Sequence, residues 1–142
     1  MKRIINILII FPLFVFAGLD ISKVNSVLSS IKSLKDSSIP LKFYNTKKSL
    51  HLNKKLNFTS QNYADIILFP IKKKINKAFV VDSYKALKKY KNSIGAIYMK
   101  KGRTQIVFVA ERLKNSGFDL REMKKKYLIP ECKLEAICFL KN

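Results

Sequence analysis

"YADIILFP", residues 63–70, carries the reading of the fold. Its unbroken apolar run at residues 66–69 is bounded by Asp65 and Pro70, the pattern of a strand buried on both faces rather than one wet on one side. Such a strand needs a covering layer above and below it. After a lysine-rich loop at residues 72–77, "AFVV" (78–81) repeats the pattern, and Asp82-Ser83 can cap the helix "YKALKKYK" (84–91). The stretch "IGAIYMKKGRTQIVFVAERLKNSGF" (94–118) then reads as strand, tight turn, strand and helix. Ile97 and Met99 alternate with Ala96 and Tyr98, and Ile106 and Phe108 with Val107 and Val109, so this hairpin also needs cover on both sides. Gly102 supplies the positive φ of the turn, and Gly117 ends the helix. Upstream, residues 20–35 place Ile21, Val24, Leu28, Ile31 and, near the edge, Leu34 on one helical face, with Asp20 as cap. "LKFYN" (41–45) alternates as a strand with Leu41 and Phe43 on one side. The weakly patterned residues 46–58 are assigned a helix at 47–52 and an edge strand at 56–58. Residues 120–129, "LREMKKKYLI", read as a last helix or an irregular tail. Short central strands alternating with helices, plus one antiparallel pair, predict an α/β three-layer sandwich, receiver-like in shape, with a mixed, mostly parallel sheet.

The amino-terminal residues concern location. A basic head, Lys2-Arg3, an apolar run at residues 4–16 and the small residue Ala17 have the order of a secretory signal peptide, cleaved near Ala17 or Gly18. The run is short of the roughly 20 apolar residues that span a bilayer. The expected organisation is a signal peptide at 1–17 and one α/β domain at 20–142 with a cysteine-containing tail. Of the formal charge of +20, the residues after the signal keep 27 basic against 9 acidic side chains, or +18. Nucleic acid is not the expected partner: export separates the chain from it, lysine far outnumbers the arginine that makes most bidentate base contacts, and the lysines are spread along the chain. A solvated surface accounts for much of the charge, and anionic lipid or wall polymer is the further partner it admits. Cys132 and Cys138 in an exported chain point to a disulfide. A continuous helix would put their α carbons about 9 Å apart, so a bond requires a turn between them. Buried thiols are the alternative. A metal comes last, since two cysteines without nearby histidines do not complete a tetrahedral site.

The inventory for catalysis is thin, and no enzyme is expected. His51 is the only histidine, lies among lysines and reads as a surface residue. If the two buried strands are parallel, Asp65 opens one and Asp82 closes the other, so they sit at opposite ends of the sheet and cannot share a substrate. Asp82 is better explained as a helix cap. No glycine-rich phosphate loop, cofactor motif or metal-ligand set is present in the sequence. The aromatics fill the core, and Tyr84 and Tyr90 are the two expected to show a ring edge to a partner. Lys100, Lys101 and Arg103 crowd the hairpin tip, where two readings stand: an anion or partner clamp, or soluble turn residues.

From "ADIILFP" through the strand ending in Asp82, the short helix, Gly95-Ala96-Ile97, the turn closing on Arg103, and the apolar strand and helix reaching Gly117-Phe118, the chain resembles the YfiR-like family of small exported proteins over roughly residues 63–128. The resemblance implies a periplasmic α/β regulator, without cofactor or catalysis, that restrains an inner-membrane diguanylate cyclase by binding its periplasmic portion. The family typically begins with an aromatic strand ending in Trp-Pro, whereas this chain has no tryptophan and starts with an amphipathic helix. The runner-up is a small solute-binding or anionic-polymer-binding module using Lys100, Lys101 and Arg103.

Overall fold

The computed structural model describes residues 18–52, 55–135 and 138. Residues 1–17, the expected signal peptide, lie outside them. In chain order the elements are α1 (Ile21–Ser29), β1 (Lys32–Ser33), β2 (Lys42–Asn45), β3 (Asn57–Phe58), β4 (Ile66–Leu68), β5 (Ala78–Val81), α2 (Tyr84–Lys89), β6 (Ser93–Lys100), β7 (Arg103–Val109), α3 (Ala110–Asn115), β8 (Phe118–Asp119) and β9 (Leu128–Ile129), with short 3-10 turns at Gln61–Tyr63, Lys125–Tyr127 and Glu131–Leu134.

Seven strands form one sheet in the order β3-β2-β4-β5-β6-β7-β9. The pairs from β3 to β6 are parallel, β6 and β7 are antiparallel, and β9 runs parallel to β7 at the far edge. Numbered among themselves, the five parallel strands lie in the order 2-1-3-4-5, the doubly wound arrangement. The antiparallel pair β1-β8 stands apart.

The buried run at the centre explains the layering. All three residues of β4 are essentially inaccessible, and the period of two sends them to different cores. Ile66 and Leu68 join Val80, Ile106 and Phe108 beneath Val24, Val27 and Leu28 of α1. Ile67 joins Phe79, Val81, Ala96 and Val109 beneath Leu87 of α2 and Leu134 of the tail. Gly95 lets the Phe108 ring pack directly on the backbone of β6: a Cβ there would lie 2.4 Å from Phe108 Cδ1. The crossover from β4 to β5 is a loop, so no helix lies over β4 on the α2 side, where Ile67 is nevertheless 1 % exposed.

Several expectations change. Residues 47–52 form a turn, not a helix, because the Asn45 amide donates to the carbonyls of Lys47 (3.0 Å) and Leu50 (3.2 Å) and its carbonyl accepts from Lys47 N; a side chain that captures its own backbone competes with helix. Ser83, not Asp82, caps α2, its Oγ accepting from Ala86 N at 3.1 Å. The first helix stops at Ser29, where the hydroxyls of Ser29 and Ser30 bond back to Ser26 O and Val27 O. The chain turns off into β1, which keeps Ile31 buried and leaves Leu34 62 % exposed. The tail at 120–129 ends in β9.

Candidate binding surface

Parallel strands deliver all their carboxyl ends to one end of the sheet, and in doubly wound sheets the crevice outside those ends, where the strand order reverses, is the usual ligand position. Here that reversal lies between β2 and β4. Thr46, leaving β2, donates its hydroxyl to Phe69 O at 2.5 Å, and its amide to Leu68 O at 3.3 Å. Phe69 is thereby held at φ 57°, a left-handed conformation that bulky residues rarely adopt and that tends to mark functional positions. The Lys47 ammonium stands 4.8 Å from the Phe69 ring centroid and 3.2 Å from Asp82 Oδ2, which joins the exits of β2 and β5. Beside them an open cleft of about 490 Å³, lined by Tyr44, Thr46, Gln61, Ile67, Pro70, Ile71 and Lys72, extends along β4 to the turn before it.

The hairpin leaves from the same end. Ala96 is the partner of Val81, the last residue of β5, and Lys100 lies four residues farther on. At about 3.3 Å per residue the tip projects roughly 13 Å beyond β5. Lys100 faces Arg103 across a two-residue turn in which Lys101 (φ 49°) and Gly102 (φ 71°) both take left-handed conformations, as a type I′ hairpin requires. Just behind the turn the hairpin is bonded to the start of α1: Asp20 N donates to Thr104 Oγ1 at 2.7 Å, and Lys23 Nζ to Thr104 O at 2.9 Å. Lys100, Lys101 and Arg103 are exposed, and among the described residues no salt bridge engages them.

The other singled-out residues fall elsewhere. Tyr84 and Tyr90 are half-buried against the α2-side core, over the middle of the sheet rather than at its edge. Tyr84 opens α2 at the hairpin's end of the sheet, its hydroxyl 3.4 Å from Lys133 O. Burial, and then the nearby Tyr84, raise the Tyr98 hydroxyl pKa. Tyr90 ends α2 at the opposite end, so the two tyrosines do not form one patch. Asp65 also lies at that opposite end, accepting from Lys42 N at 2.7 Å, and shares nothing with Asp82. His51 is exposed. Cys132 and Cys138 are joined in a disulfide with α carbons 4.7 Å apart, the turn at Glu131–Leu134 supplying the reversal. A disulfide is the chemistry of an oxidising compartment. Among the described residues no group of three or more His, Cys, Asp or Glu side chains could hold a metal ion, and no helix is long and apolar enough to cross a membrane.

Two basic residues that the sequence left unassigned hold the fold. Arg112, 8 % exposed, is bidentate on Glu131 (2.6 Å twice), while its Nη1 donates to the carbonyls of Leu87, Tyr90 and Ser93. Lys77 places its ammonium on the carbonyls of Gln61, Asn62 and Ala64. The signal for Arg112 was its type: in a chain that uses lysine almost everywhere, an arginine marks a site needing a planar, multiply donating head. Comparison with protein-family models, with curated proteins and with solved structures finds no match to this chain.

Proposed function

We propose that the chain is an exported, non-catalytic binding or regulatory protein that engages a membrane or periplasmic protein through the hairpin tip. The observation that carries this reading is the arm itself: three exposed cations, without an ion pair among the described residues, held about 13 Å beyond β5 by a hairpin that is bonded at Thr104 to the start of α1. Cations left free at a preorganised tip suit an acidic partner surface, where they speed encounter and fix orientation. The disulfide and the signal-like amino terminus agree with an exported location. The YfiR-like resemblance supplies the partner class, the periplasmic portion of an inner-membrane diguanylate cyclase. A gene for such a cyclase beside this one favours regulation, whereas permease genes favour solute binding.

Affinity capture from solubilised membranes, read by mass spectrometry, tests the proposal. The intact protein retains a specific membrane or periplasmic protein, and the Lys100, Lys101 and Arg103 to serine triple variant loses it with an unchanged thermal midpoint. Undiminished capture by the triple variant rejects the tip. The second reading, a small-solute or anionic-polymer module, draws on the cleft at the strand-order reversal, where Thr46, Gln61 and Lys72 offer polar groups.

A further inference from the structure

Ile71 is 90 % exposed, the most exposed of the large apolar residues described. It is not on a slack segment. Pro70 before it is buried, and the Lys73 ammonium bonds back to Pro70 O, which closes a short loop with Ile71 and Lys72 at its apex. The surroundings of that apex are basic. Lys47 and Lys48 follow β2, Lys72 and Lys74 follow β4, and Lys100, Lys101 and Arg103 close the hairpin; all are exposed. The acids of this end are Asp82, already paired with Lys47, and Asp20, whose carboxylate caps α1. Asp65, Glu111, Glu131 and Glu135 lie toward the other end, with the start of β4, the end of β7 and Lys91 before β6. This end therefore gathers seven exposed cations around Ile71, the one protruding aliphatic side chain there among the described residues, while the opposite end mixes its acids with Lys42, Lys77, Lys91 and Lys114.

We infer that this end docks on an anionic bilayer, with Ile71 entering the interface and the surrounding cations meeting lipid phosphates. Cations alone would suit any polyanion. A projecting isoleucine ringed by lysines fits a lipid surface better than a soluble polyanion, because at the bilayer its burial adds to the electrostatic attraction. The inference does not rest on the proposed protein partner, and it needs no protein to test.

The test is sedimentation with vesicles of phosphatidylglycerol and phosphatidylethanolamine (3:7) or of phosphatidylcholine alone, using the chain from Gly18 onward, which contains every residue of both cores. The expected result is binding to the anionic vesicles only. Ile71→Ser should lower the partition coefficient about fivefold, and the triple serine variant of the tip on the order of 100-fold at low salt, both with unchanged thermal midpoints. Tyr63, 74 % exposed just before β4 and therefore at the opposite end, is the control, and Tyr63→Ser should change nothing. Absence of binding, equal binding by Ile71→Ser, or an equal loss with Tyr63→Ser overturns the inference. So does inorganic polyphosphate binding as tightly as the vesicles and unaffected by Ile71→Ser, which would assign the face to a soluble polymer.

Discussion

Replacing Arg112 with methionine keeps a long apolar stem and removes six hydrogen bonds at once: two to Glu131 at 2.6 Å, three to the carbonyls of Leu87 (3.0 Å), Tyr90 (3.1 Å) and Ser93 (2.9 Å), and a longer one to Ser93 Oγ (3.4 Å). Removing one partner of a buried ion pair costs about 3–5 kcal/mol, chiefly through what is left unpaired. Two features place this site near the low end. The Glu131 side chain is 31 % exposed and can be rehydrated, and Arg112 borders an open cleft of about 400 Å³ from which water can reach the carbonyls. The expected loss is about 3 kcal/mol, and with a urea slope of about 2 kcal/mol per molar the midpoint should fall by about 1.5 M. Arg112→Lys should lose most of this too, because an ammonium cannot span Glu131 and the carbonyl trio together. Glu131→Gln keeps an acceptor and should cost only about 1–2 kcal/mol. Equilibrium urea unfolding measures all three. A loss below about 1 kcal/mol for Arg112→Met would refute the view that this guanidinium ties α2, β6 and the tail together.

Three more outcomes are expected. Gly95→Ala should cost about 2–3 kcal/mol in the same assay, since the new Cβ would meet Phe108 Cδ1 at 2.4 Å and Val107 O at 2.7 Å; a neutral result contradicts the packing. Gly102→Val should cost about 1–2 kcal/mol because its φ is 71°, whereas Lys101→Gly at φ 49° should cost nothing; equal effects would argue against the type I′ turn. Thiol labelling of the denatured exported protein without reductant should find neither Cys132 nor Cys138 reactive, and reduction should cost less than about 3 kcal/mol because the closed loop is short; two reactive thiols would contradict the bond.

How much of this was legible depended on how local the cause was. The run at residues 66–69 declares a strand covered on both sides, and the apolar residues on both faces of the hairpin declare the same need, so the layered α/β architecture was readable. Gly102 announced its turn. Lys101 did not, because lysine carries no preference for the left-handed conformation that the hairpin imposes on it. The expected helix at 47–52 failed on one side chain, Asn45, and β9 was invisible because two apolar residues beside Tyr127 have no period to detect. At the site, the exposed tip followed from the need to bury Ile97, Ile106 and Phe108. The bond from Thr46 to Phe69 and the contact of Lys47 with Asp82 cross 23 and 35 residues, and depend on a strand order that no local window contains. Tyr84 and Tyr90 read as the two aromatics able to show a ring edge to a partner, and they stand at the two ends of α2, so they form no single patch.

The central claim is that partners meet the cationic end of the sheet. Site-specific photocrosslinking addresses it most directly, with a photoreactive residue replacing Lys101 at the hairpin tip or, in a second protein, Lys91 before β6 at the opposite end; both positions are exposed. Illumination of cells that export each protein should give a discrete higher-mass adduct from position 101 and none from position 91. Adducts from position 91 with none from position 101 would contradict the account.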